Sequence, residues 1–304
     1  MIAITGGTGF IGQWILKLYS DKYKFKVLTR SLYISKDIYK HENIAYCTTD
    51  YSEDSLKKEL KDCNSVIHLA AIKVNKGIEE KFDVYMENIK ISENIFRVSS
   101  DLGIKNIITL SSRTVYGFTE NKDYSEEDKV EPINIYGIAK VTIELLSKYY
   151  NDKYDMKIKS LRLAQVLGVG DRDSFMFGVF LNRCIEKKSL YIYGEGKGER
   201  NYIYVKDVAR AIMIALDNNK ESGVYNIASC TTVSHRELAE TMCNVFNNKD
   251  NIVYLLDKVE DTSIQRIDVS KSKLVLGFEC EYNLVDMIKD IKRTMEEEQS
   301  KWEY

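Results

Sequence analysis

Residues 1–12 read MIAITGGTGFIG, a short apolar run that breaks into three spaced glycines and then into a helix-compatible stretch. Met1 to Thr5 is predicted to be a buried strand and Phe10 to about Tyr19 a helix. Gly6, Gly9 and Gly12 supply positive φ for a tight turn, backbone without side chains near a ligand, and close helix-to-strand contact. The helix, opening on Phe10 and Ile11, starts with unpaired N–H groups and the positive end of its dipole, so a pyrophosphate is the natural occupant. Glycine-rich turns are common. It is the placement at strand, turn and helix that makes this one a dinucleotide-binding signal.

Outward from that turn, strands and helices alternate. Phe25 to Thr29, Asn43 to Cys47, Val66 to Ala70 and Asn106 to Leu110 read as strands, with helices over Asp54 to Lys61 and roughly 79–102. Tyr136 to Tyr150 is a further amphipathic helix, followed by a strand over Lys157 to Leu163. The expected fold is α/β: a Rossmann-type doubly wound parallel sheet with a smaller C-terminal substrate-binding domain. The dinucleotide-binding part is expected over 1–167 plus about 201–229, and the smaller part over about 168–200 plus 230–304.

Composition excludes several classes. The 304 residues suffice for a large core, and 44 Lys+Arg against 46 Asp+Glu leave a net charge of -2, so no basic excess points to nucleic acid. No apolar run of membrane-spanning length occurs. The six cysteines, at 47, 63, 184, 230, 243 and 280, form no CxxC pair, so neither a metal cage nor a disulfide framework is expected. A small-molecule partner and a reducing cytoplasm fit best, and a strand starting at the initiator methionine leaves no room for a signal sequence.

The end of the second strand bears on cofactor choice. NAD-binding chains usually place an Asp or Glu there for the ribose hydroxyls, whereas NADP needs a cation for its 2′-phosphate. This strand ends in Thr29, Arg30 and Ser31, so Arg30 offers a fork-shaped donor, Ser31 a hydroxyl, and NADP(H) is favoured over NAD(H). Asp50 and Tyr51 fall where an adenine is usually held. Leu69, Ala70 and Ala71 follow the fourth strand, and the two alanines are small enough to let a cofactor lie over the sheet.

Tyr136 and Lys140, four apart on a predicted helix, share a face. With 21 tyrosines in the chain the spacing recurs at Tyr149/Lys153, Tyr193/Lys197, Tyr202/Lys206 and Tyr254/Lys258, so spacing alone does not select it. Context does: only Tyr136 follows a strand ending in Ser111, Ser112, Arg113 and Thr114. A phenol titrates near ~10, and bringing it to neutrality requires about 4 kcal/mol for roughly three pKa units. A surface helix pair supplies only ~0.3 to 0.5 kcal/mol. A partly buried Lys140, helped by cofactor charge, is expected to supply the remainder, with Tyr136 exchanging a proton with a sugar oxygen that Ser112 hydrogen-bonds.

TGGTGFIG, VIHLAA, SSRTVYG, YGIAK, ERNYIYVKDVA, VYNIAS and IDVSKSKLVLGF stand in the order found in extended short-chain dehydrogenase/reductases that modify nucleotide sugars, and the chain resembles that family over nearly its whole length. The resemblance implies a Ser112, Tyr136 and Lys140 triad, Lys73 and Asn88 near the cofactor and active site, and Arg200 and Arg266 on the substrate diphosphate or its nucleoside. It also implies a homodimer through helices near 80–102 and 136–150. The dehydratases of the family carry Asp-Glu where this chain has Arg113 and Thr114, which tells against water elimination. Gln165 replaces the usual Asn of the sugar pocket. No catalytic Cys and His pair of the GDP-fucose reductase type is evident, His68 lying in a strand and His41 and His235 reading as surface or capping residues. On the cofactor argument the favoured function is NADPH-dependent 4-ketoreduction of a UDP- or dTDP-type sugar. The alternatives are a UDP-sugar C4 epimerase that retains NAD, and a non-catalytic NADP-sensing protein.

Overall fold

The computed structural model describes residues 1–31, 38–72, 81–118, 120–171, 176–249 and 251–300, with side chains to 297. In chain order the first half contains β1 (Ile2–Thr5), α1 (Phe10–Tyr19), β2 (Phe25–Thr29), β3 (Ile44–Thr48), α2 (Glu53–Leu60), β4 (Ser65–His68), α3 (Phe82–Asp101), β5 (Asn106–Ser112), β6 (Asp123–Tyr124) and α4 (Ile135–Tyr154). The second half contains β7 (Lys157–Leu163), β8 (Gln165–Leu167), α5 (Met176–Ile185), β9 (Leu190–Tyr193), β10 (Glu199–Tyr204), α6 (Val205–Asp217), β11 (Gly223–Ile227), β12 (Thr232–Ser234), α7 (His235–Val245), β13 (Ile252–Leu255), β14 (Ile264–Ile267) and α8 (Leu284–Ser300).

Seven strands form one sheet in the order β11-β7-β5-β4-β1-β2-β3, every pairing parallel. This is the expected doubly wound α/β fold. Both sheet faces are apolar. Ile4, Val27 and Ile108 pack with Trp14, Ile15 and Ile212 on one side, and Ala3, Leu28 and Ile107 with Ile95 and Phe96 on the other. The strand order turns back between β1 and β4, which opens a crevice at the carboxyl ends of the strands.

β5 runs two residues beyond its expected end, to Ser112, because β7 continues to pair with it as far as Leu163. β4 stops at His68, two residues early, which frees the backbone at Ala70 to approach the opening loop. A second sheet runs β12-β10-β14-β6, with β8 also pairing to β10, and β9 pairs with β13. β8 and β10 flank the expected boundaries at 167 and 201 and are paired to one another, while α6 and β11 return to the central sheet.

α4 starts where Asn134 caps it, its side chain accepting from the Gly137 N–H at 2.7 Å. A buried ion pair fastens the same helix to the sheet. Arg162 on β7 donates from Nε and Nη2 to the two Glu144 oxygens at 2.9 and 2.7 Å. Ser111 donates to Glu144 at 2.5 Å, and Arg162 Nη1 donates to the Tyr116 hydroxyl at 2.9 Å. The two charged side chains are only 5% and 7% exposed, so each depends on the other for its solvation. Arg162→Met should therefore lower unfolding stability by about 3–5 kcal/mol in urea titrations, whereas adding Glu144→Gln should recover much of the loss.

Candidate active site

At the crevice, Gly6 has φ +69° and stands so near the next segment that a Cβ would come within 2.7 Å of the Ala70 backbone nitrogen. A Cβ on Gly12 would meet the Gly6 carbonyl oxygen at 2.4 Å. No side chain fits at either position, and the loop leaves a bare backbone cradle before the α1 N-terminus. The groove it faces encloses about 640 Å³. Gly6, Gly9, Phe10, Ile11, Gly12, Arg30, Ser31, Tyr51, Leu69, Ala70, Ala71 and Asn88 all line it, a donor set and shape suited to a dinucleotide.

Asp50 stands apart from that lining. It accepts from the Ser52 hydroxyl at 2.7 Å and the Ser52 N–H at 2.9 Å, bonds that hold its carboxyl below the usual range. It borders a neighbouring cavity with Tyr51. Lys73 lies outside the described residues. Thr8, Glu87, Leu110 and Asp171 also line the groove and were not singled out from sequence. Thr8 sits inside the glycine loop and could have been, whereas Glu87 and Asp171 arrive from segments with no motif of their own.

A directional hydrogen-bond chain supports the groove wall. The Ser92 hydroxyl donates to the Asn88 carbonyl at 2.7 Å, so it accepts from His68 Nε2–H at 2.9 Å. That tautomer leaves Nδ1 to accept from the Thr5 hydroxyl at 2.7 Å, and Thr5 in turn accepts from the Ala70 N–H at 3.2 Å. Asn88 grips Ile72 at both ends, accepting from its N–H at 2.7 Å and donating to its carbonyl at 2.9 Å. Burial, with a smaller push from the Lys140 charge, brings the His68 pKa down to about 3.

Of the expected triad, Tyr136 and Lys140 lie together on α4 and Ser112 ends β5, and none of the three is among the residues that line the groove. Lys140, 5% exposed, donates to the carbonyl of Leu110, itself a groove residue, at 2.7 Å. Its ammonium is 5.6 Å from the Tyr136 ring centroid, and Tyr136 meets Tyr85 edge-on at 6.0 Å between centroids. Ser112 Oγ accepts from the Thr114 hydroxyl at 3.1 Å and the Thr114 N–H at 3.3 Å. By contrast, Lys153 donates to the Tyr149 hydroxyl at 2.7 Å on the exposed flank of α4.

The remaining residues expected to meet the substrate lie on the second sheet. Gln165 is the register partner of Tyr202. Arg200, on β10, is buried and paired with Asp261, and donates to the Ser263 carbonyl at 2.6 Å. Arg266, on β14, pairs with Asp123 at 2.8 Å and donates to Asn121 at 3.2 Å, with its side chain 38% exposed. His235 opens α7 while Ser234 caps that helix, so capping is not its task. Burial and the Arg200 charge lower its pKa. No group of His, Cys, Asp and Glu able to hold a metal occurs among the described residues, and no described helix is long and apolar enough to cross a membrane.

Residues 2–228 match the model of the NAD dependent epimerase/dehydratase family. The chain is similar to a dTDP-4-dehydro-6-deoxyglucose reductase from Escherichia coli, 28% identical over 97% of this chain and 90% of the relative. It is also similar to a putative UDP-glucose 4-epimerase from Methanocaldococcus jannaschii, 28% identical over 97% and 98% of the two chains. Its fold matches the crystal structure of UDP-N-acetylglucosamine 4-epimerase from Bacillus cereus with a TM-score of 0.87 and 28% identity, covering 97% and 96% of the two chains.

A neutral imidazole held in this way makes stability pH-dependent. Between about pH 6.5 and 3 the unfolded chain binds a proton at His68 that the folded chain refuses, so stability falls as pH drops through that window. His68→Gln should be less stable than the parent at pH 7, and the gap should narrow by pH 4.5 in parallel urea titrations.

Proposed function

The chain belongs to the NAD dependent epimerase/dehydratase family, and from that premise we propose that it reduces the 4-keto group of a nucleotide-diphosphate sugar with NADPH. The observation that carries the reading is the end of β2, where Arg30 and Ser31 line the groove and no carboxylate stands at Thr29. A guanidinium and a hydroxyl suit a 2′-phosphate, whereas a ribose diol calls for an acceptor. The similarity to a reductase of a dTDP-4-keto sugar agrees with this direction of chemistry.

The glycine loop and the α1 N-terminus would hold the pyrophosphate of a nicotinamide cofactor, which when bound would supply the hydride. The protein's own part is positioning and proton transfer. Lys140, held on the Leu110 carbonyl, keeps a positive charge beside the Tyr136 ring and favours its phenolate. Tyr136 delivers a proton to the sugar oxygen as the alcohol forms, and Ser112 donates a hydrogen bond to that oxygen. Arg200 and Arg266 hold the diphosphate, exchanging present partners for phosphate oxygens. Arg113 and Thr114 supply no carboxylate where elimination needs one, so the sugar keeps its hydroxyls.

The similarity to UDP-sugar 4-epimerases favours a second reading, in which the same triad oxidises and re-reduces C4 on a retained cofactor. A homodimer fits either reading, since Phe82, Met86, Ile138, Leu145 and Tyr149 leave α3 and α4 with an exposed apolar flank.

Tyr136→Phe should lower kcat by at least about 100-fold while cofactor affinity, followed by fluorescence, changes little. Arg30→Asp should weaken NADPH at least about tenfold and leave NADH nearly unchanged, and equal loss for both would remove the cofactor argument. Turnover of a UDP-hexose with no added cofactor would decide for the epimerase. Leu145→Lys should convert a dimer to a monomer in sedimentation runs.

A further inference from the structure

Arg113 has no task in the reaction above, yet it follows Ser112 directly and its side chain sits half-buried in the cleft toward the second sheet. Its guanidinium donates to the side-chain oxygen of Gln265 on β14 and lies 5.7 Å from the Phe118 ring centroid. Among the described residues no carboxylate forms an ion pair with it. Asp261, whose charge reaches Arg113, is paired with Arg200 and accepts from Ser263. Burial and the like charge of Arg200 lower the Arg113 pKa to about 10, which leaves it cationic at neutral pH. Tyr202, 3% exposed, is close enough to feel both guanidinium charges, and its hydroxyl has no hydrogen-bond partner among the described residues. The neighbouring His235, its pKa lowered, contributes no negative charge.

The cluster thus holds two guanidinium groups against one carboxylate. A half-buried guanidinium whose close partners are a neutral amide and an aromatic ring, with no carboxylate of its own among the described residues, can accept an anion. Arg200 and Arg266 are read onto the diphosphate. Arg113 directly follows Ser112, the residue read onto the reacting oxygen, so it is read onto the sugar rather than the diphosphate. We infer that Arg113, steadied by Gln265, is a carboxylate-recognition residue that selects nucleotide sugars carrying an acid group on the sugar. The inference rests on the nucleotide-sugar reading of the site and names the substrate class within it. No bond to the carboxylate forms or breaks during hydride transfer. Where the acid is the C6 carboxylate and C4 is oxidised, the sugar is a β-keto acid prone to lose carbon dioxide. A guanidinium paired to that carboxylate opposes the loss, because the departing product carries no charge to pair with.

Calorimetric titration of the full chain with UDP, UDP-glucose and UDP-glucuronate, with a dTDP series in parallel, tests this. The wild type should bind UDP-glucuronate about tenfold more tightly than UDP-glucose, as expected for one charged hydrogen-bonded pair. Arg113→Gln should erase that preference and change UDP affinity less than about twofold. Arg113→Lys, which keeps the charge and loses the fork, should retain part of the preference, and a melting curve checks that each variant is folded. Equal wild-type affinity for the two sugars would overturn the inference, as would an Arg113→Gln loss shared equally by UDP, which would assign the residue to the diphosphate. Failure of every UDP and dTDP ligand to bind the wild type would instead bring down the nucleotide-sugar reading, and this inference with it.

Discussion

The approach of the opening loop to the backbone beyond β4, too near for any Cβ at Gly6, is the constraint on which the rest of the structure depends. It brings the carboxyl ends of β1 and β4 together where the strand order reverses, and the cradle, the α1 N-terminus and the groove all follow. Gly12 sets the second half of the same constraint by letting α1 start against the Gly6 carbonyl. Bare backbone at these points is also what offers an anion its N–H groups.

Two polar inlays then convert this geometry into a rigid site. The chain from Thr5 through His68 and Ser92 to Asn88 fixes the wall formed by Ala70 to Ile72, with every donor directed at one acceptor. The Glu144 and Arg162 pair holds α4 against β5 and β7, which fixes Lys140 on the Leu110 carbonyl one helical turn away. Neither inlay is an economical source of stability, since burying polar groups costs nearly what their bonds return. What they contribute is position.

Much of this was legible in the sequence because it was local. β1, α1, β2 and β7 follow from apolar runs, glycines and a 3.6-residue period, and their ends fall where those signals stop. Most of the groove lining falls in residues that flank strand ends, which a pattern reading reaches. The extent of β5 was not legible, because it is set by pairing to β7, some fifty residues on. The outlying place of Asp50 was not either, since capping and adenine binding use the same residue type and only the observed Ser52 contacts separate them. The Arg113 cluster draws on residues 113, 200, 202, 261 and 265, and nothing short of the folded second sheet brings them into one cleft.

The two sheets are threaded through each other along the chain. β7 belongs to the large sheet, β8 and β10 to the small one, β11 to the large one again, and β12 and β14 to the small one. Asn226, on β11, stitches them where they meet by donating to the carbonyls of Tyr124 and Asp268. Such interleaving forbids exchange of the small sheet as a cassette, because no two cut points release it intact. Divergence of specificity in this architecture is therefore confined to replacing side chains in place, which keeps the reacting geometry fixed while the pocket beside it drifts.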